Sequence, residues 1–188
     1  MGQYVALLRG INVGGNNLIK MTALAACFEK HGFQNVVTYI QSGNVIFEAG
    51  ASVASKLTQR LEAMLAATFS YRASVVLLSR KELERVVAGA PKGFGAEPAR
   101  YRYDVLFLKP PLGAPAAMEI LPMKEGVDQL SPGQGVIYFS RLISKATQSR
   151  ISKIVSMPIY QSMTIRNWNT TTKLVQILNV RATSASTG

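Results

Sequence analysis

Apolar residues along the chain fall into short strand-like runs separated by helical stripes, and the order of these elements occurs twice. Tyr4-Val5-Ala6-Leu7-Leu8-Arg9 predicts a buried strand, followed by a glycine- and asparagine-rich loop from Gly10 to Lys20. Met21, Leu24, Ala25 and Phe28 carry helical spacing over Met21 to His31, and Gly32 supplies a stop. Asn35 to Gln41 reads as a strand, Ser42-Gly43 as a tight turn, and Asn44 to Glu48 as the returning strand. Val53, Leu57, Leu61, Met64 and Leu65 put one stripe on a helix over Ser52 to Phe69. Ala73 to Leu78 closes the series as a β-branched strand, giving the order β-α-β-β-α-β.

A helix over Arg80 to Ala88 and a breaker-rich loop, Pro91-Lys92-Gly93-Phe94-Gly95, lead into the second round. Tyr101 to Leu108 predicts a strand, Ala114 to Leu121 a short helix, and Val127 to Ser131 a strand. Ser131 to Gly135 is a turn, and Val136 to Ser140 is the strand that returns from it. Ser144 to Met157 predicts a helix, Ile159 to Ile165 a last strand, Asn169 to Val180 a closing helix, and Thr183 to Gly188 a frayed tail. The expectation is an α+β fold of two tandem ferredoxin-like (βαββαβ, α-β plait) subdomains packed together, with an extra C-terminal helix. The limits are 1–79 for the first subdomain, 80–100 for a connecting helix and loop, 101–182 for the second with its helix, and 183–188 for a disordered tail.

This topology has two consequences. The first and second strands of a split βαβ motif run toward the same edge, so the loop after Arg9 and the hairpin at Ser42-Gly43 converge. Tyr4 to Leu8, Val75 to Leu78 and Val136 to Phe139 are apolar at both parities, so both sheet faces are expected to be covered. That counts against an open RNA-recognition platform.

Composition narrows the classes. A chain of 188 residues with 48% hydrophobic and 16% charged residues is globular and long enough to bury a core. Cys27 is the only cysteine, which excludes an intrachain disulfide or a thiolate zinc site and fits a reducing, cytoplasmic location. Met1-Gly2-Gln3-Tyr4 enters a strand without the basic and apolar regions of a signal peptide, and no apolar run approaches a membrane span. The net charge of +11 is uneven: from Gln129 onward there is no acid, against seven bases, Arg141, Lys145, Arg150, Lys153, Arg166, Lys173 and Arg181. Such a stretch attracts nucleic acid, phosphorylated metabolites or an acidic partner, or is simply a solvated basic face.

Three segments could carry chemistry. Arg9-Gly10-Ile11-Asn12-Val13-Gly14-Gly15-Asn16-Asn17 joins a strand to a helix and could cradle an anion with backbone N–H groups, Lys20 standing at its end. Its spacing matches neither the dinucleotide fingerprint nor the Walker pattern, and a long turn using positive φ and asparagine side chains explains it equally. Gln41-Ser42-Gly43-Asn44 is a plain hairpin turn, made more interesting by convergence with that loop. The third is Thr164 to Leu174, where a strand end meets a helix start that Asn167 or Asn169 can cap. Arg166 lies near Trp168, the only tryptophan, with Lys173 following; such a group binds a phosphate, a carboxylate or a stacked base, or packs structurally. His31 suits dipole contact at a helix end, Cys27 suits a core thiol, and Asp104 and Asp128 are isolated, so no metal cluster or triad is formed by the sequence.

Residues Tyr4 to Gly15, 38–47, Tyr103 to Leu108 and Thr164 to Thr170 closely resemble the domain of unknown function 1697 family, which is mainly bacterial. The resemblance covers nearly the whole chain. It implies two ferredoxin-like subdomains and no assigned activity. One departure is Ser162-Met163-Thr164-Ile165 before Arg166-Asn167-Trp168, where relatives tend to show Ala-Thr-Thr; it weakens any role for the second threonine.

The leading expectation is a cytoplasmic binding protein, without cofactor or metal, for nucleic acid or a phosphorylated small molecule. Its candidate ligand-binding residues are Arg9, Gly10, Asn12, Gly14, Gly15, Lys20, Gln41, Ser42, Asn44, Arg166, Asn167, Trp168 and Lys173. The alternatives are an enzyme acting on a small phosphorylated or carboxylated metabolite by positioning and electrostatics, through Arg9, Lys20, Arg166 and Lys173, and a protein-interaction scaffold.

Overall fold

In a computed structural model of the chain, which describes residues 1–12, 18–50, 52–70 and 72–185, the first round forms as the pattern predicts. Its elements are β1 (Gly2–Leu8), α1 (Met21–Lys30), β2 (Gln34–Tyr39), β3 (Asn44–Ala49), α2 (Ala54–Phe69) and β4 (Val75–Ser79). The strands pair antiparallel in the order β2-β3-β1-β4, the ferredoxin-like arrangement. Both helices lie on one face, where Leu24, Phe28, Leu57, Leu61 and Leu65 meet Ala6, Leu8, Val45, Phe47 and Val75. The opposite parity, Val5, Leu7 and Ile46, is buried as well, which is why these strands read as unbroken apolar runs. At the end of α1 the His31 ring donates through Nδ1 to the Cys27 carbonyl, 2.7 Å away, satisfying one of the open carbonyls of the last turn.

The second round follows α3 (Arg80–Ala88), with β5 (Tyr101–Leu108), α4 (Ala114–Ile120), β6 (Asp128–Gly133), β7 (Val136–Leu142), β8 (Met163–Asn167) and α5 (Trp168–Ala185). Its strand order is β6-β7-β5-β8, the same arrangement again. Four expectations are corrected here. The helix expected over Ser144 to Met157 is broken into 3-10 turns over Ile143–Gln148, Ile151–Ser156 and Pro158–Ser162. Ser149 and Met157 are extended, Pro158 brings no N–H, and the Arg150 N–H is drawn to the Asp128 carboxylate at 3.0 Å. The last strand therefore starts at Met163 rather than Ile159. The turn expected over Ser131 to Gly135 shrinks to Gln134-Gly135, because Pro132 lies on the edge strand β6, where it still faces Ile137. α5 runs past Val180 to Ala185; residues 186–188, part of the expected tail, lie outside the described residues.

The chain divides into two compact units, Met1–Leu83 with Leu174–Gly188, and Glu84–Lys173. Among the described residues no helix is long and apolar enough to cross a membrane. The registers of the two sheets correspond position by position. Tyr4 faces Phe47 and Ser79, as Asp104 faces Phe139 and Asn167, and each fourth strand runs directly into a helix. By the same register, Gly2 opposite Ala49 in the first sheet corresponds to Arg102 opposite Arg141 in the second.

Candidate functional site

In the first unit the two glycine segments do meet. The Leu8 N–H donates to the Gly43 carbonyl at 2.8 Å, and the Asn12 side chain reaches the Gln41 carbonyl at 2.9 Å. Gly10, Asn12, Ile40 and Gly43 all have positive φ, between 48° and 74°, so this end is built from left-handed turns. A Cβ on Gly43 would sit 2.7 Å from Ile11 Cδ1, so close packing as well as φ calls for glycine there. Asn12 also donates to the Ile19 carbonyl at 2.9 Å and accepts from its N–H at 2.8 Å, closing the base of the loop. Asn44 is fully buried and donates to the Tyr39 carbonyl and to Ser42 Oγ. Gln41 and Lys20 are exposed and Arg9 is half-buried, while Gly14 and Gly15 lie outside the described residues. Both amide hydrogens of Asn12 are thus committed to the backbone. Asn12→Ala loses three hydrogen bonds and keeps a left-handed φ, so it should cost roughly 2–3 kcal/mol in urea denaturation. A loss under about 0.5 kcal/mol would show that these bonds do not clamp the loop.

The second unit holds a cleft of about 360 Å³ at the start of β5, beyond the end of β8. Arg102 and Arg141 line it from neighbouring strands as direct cross-strand partners; Ile143 and Ala146 form one wall, and Gly95, Asn167 and Trp168 another. Like charges directly opposite each other on a sheet are destabilising unless something negative joins them. Arg102 Nε donates to Asp104 Oδ2 at 3.2 Å and remains half-exposed. Arg141 makes no ion pair or hydrogen bond through its guanidinium among the described residues. Asp128 is its register partner on β6, but that buried carboxylate is taken up by the Lys124 N–H, the Arg150 N–H and the Ser149 hydroxyl. Among the described residues no carboxylate lines the cleft.

The other wall is held by the strand-to-helix junction. Asn167 Oδ1 accepts from the Asn169 N–H at 3.0 Å, capping α5, and Asn167 Nδ2 donates to the Tyr103 carbonyl at 3.1 Å. Trp168 stands edge-to-face with Phe94, centroids 5.1 Å apart, and Phe94 makes the same contact with Tyr103 and Tyr138. The connecting loop is therefore seated on the outer face of the second sheet, as the expected covering of both faces requires. Arg166 does not line the cleft; it is buried in β8, where it donates to Thr164 Oγ1 at 2.7 Å and to the Ile165 carbonyl. Burial lowers its pKa to about 10, with Tyr160 acting in the opposite sense. Lys173 is exposed on α5.

Of the expected site residues, Asn12 meets Gln41 and Ser42 meets Asn44 in the first unit, and Asn167 and Trp168 line one cleft in the second. Sequence reasoning missed Gly95, Tyr101 and Arg102, and counted Arg141 only as one of seven bases. Only strand register reveals the arginine pair. At the corresponding place in the first unit a cleft of about 520 Å³ lies beside Gly2, Ser79, Arg80 and Lys81, with no cross-strand arginines at its floor.

A family model described as "Protein of unknown function (DUF1697)" matches residues 1–138. The solved structure of the conserved bacterial protein SP0830 from Streptococcus pneumoniae is 30% identical, with a TM-score of 0.79 over 94% of this chain and 98% of that one. No curated protein matches. With a family model spanning most of its length and a relative alike over nearly all of it, the chain belongs to the DUF1697 family.

Proposed function

We propose that the protein binds a small anionic ligand in the cleft of the second unit, Arg102 and Arg141 holding the anion and Trp168 and Tyr101 flanking the rest. The observation that carries this is the cross-strand arginine pair, in which Arg102 has Asp104 and Arg141 has no guanidinium partner among the described residues. An anion there gives Arg141 the negative partner that Arg102 already has in Asp104. The capped N-terminus of α5 adds its positive dipole end from the same wall, with no acid in its first turn. A volume of about 360 Å³ suits a metabolite rather than a polymer. A cytoplasmic setting is in keeping with a single, buried cysteine.

A thermal-shift and calorimetric titration with inorganic phosphate, AMP and hexose phosphates tests this. Stabilisation should appear at low millimolar anion, and Arg141→Ala should weaken binding about tenfold or more, the loss of a charge-assisted hydrogen bond. Equal affinities for the two proteins, or no stabilisation by any of these anions, would end the proposal.

A second reading, nucleic-acid binding, is favoured by the exposed Lys145, Arg150 and Lys153 on the acid-free 3-10 segment beside the cleft. It predicts affinity for mixed RNA or DNA that falls steeply with salt and survives Arg141→Ala. The same titration therefore separates the two.

A further inference from the structure

A second cleft, of about 250 Å³, lies on the other side of the Phe94 loop. Strand register separates it from the arginine row. Tyr101, Tyr103, Tyr138, Ser140, Gln129 and Ser131 share one face of the second sheet. Arg102 and Arg141 belong to the opposite face, with Leu106, Ile137 and Phe139. The two clefts meet only along Tyr101 and Tyr103 at the start of β5, so each has its own floor.

The second floor carries more hydrogen-bonding groups than the fold uses. The Tyr138 hydroxyl donates to the Val86 carbonyl at 2.6 Å, and the Tyr103 hydroxyl accepts from the Glu97 N–H at 3.3 Å, so both hold covering segments in place. Ser140 Oγ donates to Gln129 Oε1 at 3.3 Å, which leaves both Gln129 amide hydrogens for another acceptor. Ser131 Oγ and the Tyr101 hydroxyl make no hydrogen bond among the described residues. The first sheet shows that the fold does not require such groups. By register Gln3, Glu48 and Gln34 correspond there to Tyr103, Ser140 and Gln129, and Glu48 is taken up by Gln3 at 3.3 Å and Asn35 at 2.9 Å. Val5, Ile46 and Val37 correspond to Val105, Tyr138 and Ser131, an all-apolar row.

These groups are neutral, include both donors and acceptors, and stand among rings. Phe94 is edge-to-face with Tyr103 and Tyr138, centroids 4.9 and 5.3 Å away. The formal charges of the lining cancel, Lys92 against Glu97, and both are exposed, so no net field selects an ion. Hydroxyl and amide groups beside ring surface match a sugar or polyol, whose C–H groups pack on rings while its hydroxyls donate and accept. We propose that this cleft is a site for a neutral sugar or polyol about one ring in size, its hydroxyls held by Gln129, Ser131 and the Tyr101 hydroxyl. Binding here owes nothing to Arg102 or Arg141.

The test is calorimetry on the full chain with glucose, galactose, ribose, N-acetylglucosamine and myo-inositol, with L-phenylalanine as a zwitterionic probe. At least one of the five sugars and polyols should bind with a Kd at or below about 1 mM. Tyr101→Phe removes a hydroxyl and keeps the ring; it and Gln129→Ala/Ser131→Ala should each weaken that binding about fivefold or more. Arg141→Ala should leave it unchanged. No binding by any of the five, affinity that survives both variants of the cleft, affinity lost in Arg141→Ala, or L-phenylalanine as the tightest ligand would overturn the assignment.

Discussion

Gly95→Ala is expected to lower stability by roughly 2–4 kcal/mol and to weaken phosphate binding in the same protein. Gly95 has φ +87°, a left-handed conformation that alanine adopts only under strain. A Cβ there would lie 2.4 Å from Trp168 Nε1 and 2.6 Å from its Cδ1, inside any real contact distance. A lysine tip could swing aside; an indole cannot. The ring is a rigid plate already against Phe94, on the first residue of a helix whose cap, Asn167, is itself tied to Tyr103. Relief requires that the loop lift or that the helix start move, and each carries one wall of the cleft. Gly93→Ala is the internal control. Gly93 has φ +82° with nothing within 4 Å, so it isolates backbone strain at about 1 kcal/mol. Urea denaturation of both variants, with phosphate titrations, checks the pair. Equal losses at the two positions would show that Trp168 moves freely and does not form a fixed wall.

Much of the fold was legible because its signals are local or periodic. α3 over Arg80–Ala88 and β5 over Tyr101–Leu108 have the boundaries that periodicity predicts. Unbroken apolar runs such as Val5-Ala6-Leu7-Leu8 report burial on both faces without any knowledge of what lies across them. The failures fall where distant groups decide local structure. Ser144 to Met157 has acceptable helical spacing, but a carboxylate from β6 competes for its backbone N–H groups, and nothing in that segment announces it. The glycine-rich loop stands out in the sequence because a motif is visible in one dimension. Yet the amides of Asn12 and Asn44 serve the loop and hairpin themselves, as turn chemistry alone allows. The arginine pair was invisible for the opposite reason: residues 102 and 141 become neighbours only in one register, and a slip of one residue would place them on different faces. Comparison of the two units then gives the pair its meaning, because the same positions in the first hold Gly2 and Ala49.

Asp128 is the residue on which the second unit's irregular segment depends, and Asp128→Ala should cost roughly 3–5 kcal/mol. Its carboxylate is 5% exposed as a residue and accepts from the Lys124 and Arg150 N–H groups at 3.0 Å and from Ser149 Oγ at 2.6 Å. Truncation leaves three part-buried donors without their acceptor and releases the chain immediately after the turns that carry Ile143 and Ala146. Asp128→Asn separates shape from charge. One amide oxygen can still accept both N–H groups while the amide nitrogen donates to a reoriented Ser149 hydroxyl, so the loss should fall to about 1–2 kcal/mol. The same substitution removes the carboxylate that register places opposite Arg141. With that negative charge gone and the fold retained, phosphate should bind about two- to fivefold tighter, the gain shrinking as salt rises. If Asp128→Asn instead weakens phosphate binding at unchanged stability, the anion does not sit at Arg141.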